Sequence, residues 1–206
     1  MAAEDRPQIT LITPPVLDLD IFPDRLARVL DSVDVACLRL ALATRDEDEI
    51  LRAGDACRLV AHERDVAIVI EDHVLMVERL GLDGVHLSDG ARSIRKVRKD
   101  LGNDAIVGAY CGTTRHEGMN AAEAGADYAA FGPLGENALG KGEHVDFDLF
   151  DWWSQMIEVP CIAEGALTAD LVAKFGPVTD FFGIGAEIWG HDDASAALKA
   201  LIAPLG

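Results

Sequence analysis

Asp83-Gly-Val-His-Leu-Ser-Asp89 and, one helix-length spacer later, Gly125-Ala-Asp-Tyr-Ala-Ala-Phe-Gly-Pro133 decide how this chain is read. In each, a helical segment stops at a glycine, an Asp opens a short apolar run, and polar or glycine residues stand where the run ends. A unit that recurs in this form along a chain builds a closed ring of βα units, with its chemistry where strands run into the following loops.

The alternation holds in both directions from those segments. Strands are expected at 8–13, 34–42, 66–70, 84–87, 105–110, 128–131, 160–163 and 181–184. Helical patterns fill 22–33, 48–64, 73–80, 93–101, 117–124, 147–157, 169–175 and 194–202. The run Val66-Ala-Ile-Val-Ile70 is apolar without a break, as befits a strand buried on both faces. With 206 residues the chain is short for eight such units but sufficient for one core, so a single (βα)8 TIM barrel over 1–206 is expected. The rival is an open doubly wound sheet, which usually opens with a glycine-rich turn after its first strand. Thr13-Pro-Pro-Val16 stands there instead, which favours the barrel.

Composition narrows the partners. The net charge of −18 repels nucleic acid, whose binding needs Lys and Arg on phosphates. A small phosphorylated ligand is still compatible, because backbone N–H groups at a helix start hold phosphate against an unfavourable net charge. No apolar run reaches membrane-spanning length, and Met-Ala-Ala-Glu-Asp-Arg lacks a basic segment followed by an apolar one. Cys37, Cys57, Cys111 and Cys161 are scattered and form no CxxC pair. The expectation is a cytoplasmic protein without membrane contact, with homo-oligomerisation left open.

Residues at the carboxyl ends of the strands face the mouth of a barrel. Arg39 interrupts an apolar strand between Leu38 and Leu40; a lone buried cation is costly, so it either meets an anionic ligand or pairs internally with Glu71 or Asp72. Glu71, Asp72 and Asp89 offer hard oxygen ligands for Mg²⁺, while Asp72 alone would equally serve as a cap for the helix at His73. His86 lies within a strand, where a hydrogen-bonded core imidazole is the commoner role. His62, His116, His144 and His191 show no ligand spacing and are expected at the surface. Gly165 and Gly185, with Ala166 and Ala186 beside them, follow strands seven and eight. That is the phosphate-cradling place of this fold, unless the glycines serve only tight turns. No residue is assigned as catalytic.

At these residues the chain resembles the thiamine-phosphate synthases and their sister group, the thiazole tautomerases. The likeness rests on Ile70-Glu-Asp-His73, Leu82-Asp-Gly-Val-His-Leu-Ser-Asp89, Gly125-Ala-Asp-Tyr128 with Gly132-Pro133, and Pro160-Cys-Ile-Ala-Glu-Gly-Ala-Leu167, in family order and spacing. It implies a transferase of thiamine biosynthesis that joins an aminopyrimidine methyl pyrophosphate to a thiazole phosphate with Mg²⁺. By the resemblance, Arg39, Glu71, His86, Tyr110 and Lys141 would contact substrate, Asp72 and Asp89 the metal, and Gly165, Ala166, Gly185 and Ala186 the thiazole phosphate. The departures are local. The family's inward Gln, Arg and Lys of strand two read Cys37, Arg39 and Ala41. The Asn before Asp72 is Glu71, the second metal carboxylate falls at Ala91 with Asp89 nearest, and the strand-five Ser is Tyr110. Loop six reads Asn137-Ala-Leu-Gly140 before Lys141, and the strand-eight Ser is Ala186. A degraded pyrophosphate site is therefore expected. The alternatives are a non-catalytic carrier or regulator that binds a phosphate ester, and a tautomerase-like isomerase, whose His position here is Gly112.

Overall fold

The computed structural model describes residues 6–136 and 143–206. Its strands are β1 (Gln8–Ile12), β2 (Cys37–Leu40), β3 (Ala67–Glu71), β4 (Gly84–Leu87), β5 (Ile106–Tyr110), β6 (Tyr128–Phe131), β7 (Cys161–Glu164) and β8 (Phe181–Ile184). All neighbours pair in parallel, and β8 closes on β1 through Thr10 opposite Gly183. The helices are α1 (Phe22–Leu30), α2 (Glu47–His62), α3 (Val74–Leu80), α4 (Ile94–Leu101), α5 (Arg115–Ala124), α6 (Phe147–Met156), α7 (Ala169–Phe175), α8 (Ala186–Trp189) and α9 (Ala194–Ile202). The expected (βα)8 barrel is what the chain forms. Among the described residues no helix is long and apolar enough to cross a membrane.

The Asp that opens the apolar runs has a structural cause. Asp83 Oδ2 accepts from the backbone N–H of Ile68 at 2.7 Å, Asp127 Oδ2 from Val107 at 2.7 Å, and Asp180 Oδ2 from Cys161 at 2.8 Å. Each carboxylate stands just before an even-numbered strand and grips the start of the strand before it. The glycines that precede these motifs are equally local: Gly81 and Gly125 end α3 and α5 in the left-handed region, where a Cβ is disfavoured. Side-chain caps start α2, α5, α7 and α9, from Asp46, Thr114, Thr168 and Asp193.

Two apolar layers follow from strand alternation. Outward residues such as Leu38, Leu40, Val85, Val107, Phe182 and Ile184 pack under the helices in the main core. Inside the ring lies a smaller group, Tyr128, Ala130 and Ile162 with Ile106, Tyr110 and Phe181 around them. Space for the largest of these comes from Gly108, where a Cβ would fall 1.9 Å from the Tyr128 ring. Several elements are shorter than periodicity suggests, α1 and β2 most clearly. The helix α1 stops at Leu30 because Ser32 turns back on Val29 through backbone and hydroxyl, and β2 begins at Cys37 rather than residue 34.

Candidate active site

One side chain organises the upper half of the lumen. Arg39, 4% exposed, projects inward from β2 and crosses the barrel. Its Nη2 donates to Glu164 Oε2 on β7 at 2.7 Å, and its Nη1 lies 2.7 Å from His86 Nε2 on β4. Glu71 at the end of β3 stands 3.9 Å from Arg39 Nε. That Nε–H is buried and has no hydrogen-bond acceptor among the described residues. The other face of the imidazole is held too, with His86 Nδ1 2.9 Å from the Tyr128 hydroxyl.

This arrangement fixes the charge states. Burial works against the Arg39 cation, but Glu164, with Tyr128 and Glu71, holds its pKa above the ordinary value. Burial, reinforced by the Arg39 charge, pushes His86 well below the usual imidazole range, so the ring is neutral. A guanidinium only donates, so His86 Nε2 accepts from Arg39, its proton sits on Nδ1, and Nδ1–H donates to the Tyr128 oxygen. Glu71 is raised by burial, opposed by Arg39 and assisted by the neighbouring charges of Asp72 and Glu164. Tyr110, also raised by burial and by Glu164, donates from its hydroxyl to the Gly132 carbonyl at 2.6 Å.

The expected residues divide as follows. Arg39, Glu71 and His86 come together in one network, and Tyr110 lines the same lumen from β5. The internal ion pair weighed for Arg39 exists, but its short contact is to Glu164, and Asp72 takes no part. The capping role weighed for Asp72 is not found: α3 has His73 at its N-cap with no side-chain hydrogen bond. Asp72 instead holds the end of β4, its Oδ1 accepting from Ser88 N–H at 2.8 Å and its Oδ2 from the Ser88 hydroxyl at 2.5 Å. Its φ of 59° is left-handed, and that turn points the carboxylate toward the β4 loop. Asp89 Oδ2 accepts from Ser93 Oγ at 2.6 Å. Lys141 and Asn137 lie outside the described residues. His62, His116, His144 and His191 are exposed, as expected.

Glycine and alanine after β7 and β8 form two touching loops. Gly165 and Ala166 both have positive φ, 90° and 53°, so the first loop is a left-handed turn. Gly185 packs on Ile12, where a Cβ would lie 3.0 Å from the Ile12 Cβ. Between these loops sits Glu187: its Oε1 accepts from Leu167 N–H at 3.0 Å and its Oε2 from Gly185 N–H at 2.9 Å.

Three of the residues that build this region were not singled out from the sequence as ligands. Tyr128 was legible, because Gly108 in the middle of an apolar strand signals a close approach by a neighbour. Glu164 has the inward parity of Ile162, which a strand-end reading shows, but its partner lies across the barrel. Nothing local marks the Glu187 contact with Leu167.

Asp72 and Asp89 suit Mg²⁺ in donor chemistry, since that ion takes one or two carboxylates and keeps several waters. Each carboxylate retains lone pairs beyond the serine bonds it accepts. Among the described residues no group of three or more His, Cys, Asp or Glu side chains is placed to hold a metal by itself.

Sequence comparison with known proteins converges on one family. A family model described as thiamine monophosphate synthase matches residues 9–176. The thiamine-phosphate synthase of Rhodospirillum centenum is 38% identical over 197 residues, covering 94% of both chains. That of Erythrobacter litoralis is 34% identical over 198 residues, covering 92% of this chain and 91% of the other. Among solved structures, the thiamine phosphate pyrophosphorylase from Pyrococcus furiosus superposes with a TM-score of 0.82, covering 96% of this chain and 95% of that one. At 17% identity this last likeness speaks for the fold.

Proposed function

The chain belongs to the thiamine-phosphate synthase family, and from that premise we propose that it joins an aminopyrimidine methyl pyrophosphate to a thiazole phosphate through a weakened pyrophosphate site. The observation that carries this reading is Arg39, a buried cation in the upper lumen whose Nε–H has no acceptor among the described residues. An oxygen of the departing pyrophosphate would satisfy that donor and meet the charge as the C–O bond breaks. The weakness has a stated cause: Glu164 already neutralises the guanidinium, so little net positive charge remains for the leaving group.

The same carboxylates assist the other half of the reaction. Ionisation leaves a cation-like methylene on the pyrimidine, and Glu71 and Glu164 in the lumen would stabilise it. Tyr110, partly open to the lumen beside the buried His86–Tyr128 pair, would offer an aromatic surface to the pyrimidine ring. Asp72 and Asp89 would hold Mg²⁺, whose charge would offset that of the pyrophosphate. Lys141 would add a second cation from loop six. The thiazole phosphate would approach the loops of Gly165, Ala166, Gly185 and Ala186.

The second reading is a non-catalytic relative that binds a phosphate ester as carrier or regulator, and the Arg39–Glu164 pair favours it. Incubating the purified protein with both family substrates and Mg²⁺ separates the two. Formation of thiamine phosphate that Arg39→Ala abolishes supports transfer. Calorimetric binding of the thiazole phosphate with no product at long incubation supports the carrier.

A further inference from the structure

The mouth of the barrel is ringed by helix starts, because each of α1 to α8 begins beyond the carboxyl end of the strand before it. Most of that ring is acidic. Helices α1, α2, α5, α6, α7 and α8 each carry an Asp or Glu in the first turn. Helix α4 has the opposite sign there: its first turn holds Arg95 and Lys96 and no acidic residue. Arg92 precedes it in the turn after β4, three residues beyond Asp89. Five of the chain's 18 Lys and Arg fall within residues 92–99 of a protein whose net charge is −18. The sector beside β4 is thus a local field opposed to that of the molecule.

Folding does not account for these cations. Positive charge in a first turn opposes the helix macrodipole, and Arg95 repels Lys99 one turn on. Arg92, Arg95 and Lys96 are exposed, and among the described residues none of them meets a carboxylate. Arg98 on the same helix shows the contrast, reaching Asp127 Oδ2 at 2.6 Å and the Ala105 carbonyl at 2.6 Å. Even Asp89 is engaged by Ser93 Oγ and not by Arg92.

We propose that Arg92, Arg95 and Lys96 form a docking site for the diphosphate group of the substrate, drawing the anion across an otherwise repulsive mouth to the side where Asp72 and Asp89 stand. The proposal rests on the transferase reading for the identity of the anion, and deepens it by giving the pyrophosphate a point of entry. The lumen alone offers that group little, because Glu164 neutralises Arg39. A diphosphate is multiply charged, so its capture depends steeply on local potential and on salt. The ordinary role, in which these are solvated cations that only moderate the overall charge, predicts that any three exposed cations matter equally.

The test is calorimetric titration of inorganic pyrophosphate, with Mg²⁺, into wild type and two triple variants. One is Arg92→Gln, Arg95→Gln and Lys96→Gln. The control is Lys99→Gln, Lys174→Gln and Lys199→Gln, exposed residues in the last turns of α4, α7 and α9, away from the mouth. Both lose three positive charges and differ only in where. At low ionic strength the mouth variant should bind pyrophosphate about tenfold more weakly than wild type and the control within about twofold, the gap closing as salt is added. In turnover the loss should appear in KM for the pyrimidine pyrophosphate more than in kcat. Thermal melts check folding, and Arg92→Gln alone, outside the helix, provides the reading if the mouth variant does not fold. Equal loss in both triple variants, no loss in the mouth variant, or no pyrophosphate bound by wild type at millimolar ligand overturns the docking site. Thiamine phosphate formed in any of those cases leaves the transferase reading in place. Pyrophosphate binding lost in the mouth variant alone, with no thiamine phosphate made by wild type, supports the docking site and overturns the transferase reading instead.

Discussion

Glu164 Oε2 meets Arg39 Nη2 at 2.7 Å across the lumen, so an ion pair links two strands on opposite sides of the ring. Its members are 125 positions apart, and each is inward by strand parity. Removing one partner leaves a buried charge without compensation, which typically costs about 3–5 kcal/mol. Glu164→Ala should therefore lower unfolding free energy by that order in urea titrations. The double variant Arg39→Met with Glu164→Leu should recover most of the loss. A single substitution costing under about 1 kcal/mol would show that water or a rearranged Glu71 carries the pair's role.

His86 makes acid stability legible in one residue. Its folded pKa lies well below 6.5, through burial and the charge of Arg39, whereas the unfolded imidazole titrates near the ordinary value. Between those two values the unfolded chain binds more protons, so stability rises with pH and is lost as pH falls below about 6.5. The slope from this group approaches about 1.4 kcal/mol per pH unit. Denaturation curves between pH 5 and 7, a window that follows from this shift, should show that slope in wild type and a flatter one in His86→Gln. Equal slopes would place the proton uptake elsewhere.

Gly108 is needed for volume, and the demand is local. A Cβ there falls 1.9 Å from the Tyr128 ring, which cannot move without breaking its contact with His86. Gly108→Ala should destabilise the fold by roughly 1–3 kcal/mol, the usual cost of overpacking. It should also shift the ultraviolet difference spectrum of the tyrosines. Gly108→Ala with Tyr128→Phe should relieve little, because the clash is with ring carbon and not with the hydroxyl.

Asp180 tests the recurring carboxylate. Asp180→Ala leaves Cys161 N–H without its acceptor at the start of β7, a loss of about 1–3 kcal/mol. Asp180→Asn keeps a carbonyl oxygen in place and should retain most of the stability. Thermal melts of the two variants distinguish them, and equal melting points would refute the assignment.

The parts of this molecule legible in its sequence are those fixed by neighbours along the chain. Gly81 and Gly125 end helices, and Asp83 and Asp127 open strands, because turn geometry and a local carboxylate impose those residues within a few positions. Arg39 was legible as an anomaly, since a cation inside an apolar strand needs an answer. The answer itself was not, because barrel closure decides that Glu164, and not Asp72, faces it. Asp72 looked like a helix cap from its place before α3, yet its left-handed backbone turns the carboxylate to Ser88. Lumen and loop contacts of this kind depend on which strands stand opposite one another, which no local pattern states.

The carboxylates of Asp83, Asp127 and Asp180 also divide the ring into modules. Each ties an even strand to the one before it, giving stitched pairs β3–β4, β5–β6 and β7–β8, and among the described residues Asp34 makes no such bond for β1 and β2. Each stitched pair is gripped at the start of its strands, while β1 and β2 are tied at the other end, where Thr13 Oγ1 accepts from the Ala41 N–H at 3.0 Å. The barrel thus has a seam: three quarters are fastened by carboxylates at the foot of the ring, and the quarter that contains Arg39 is fastened by a hydroxyl at its mouth.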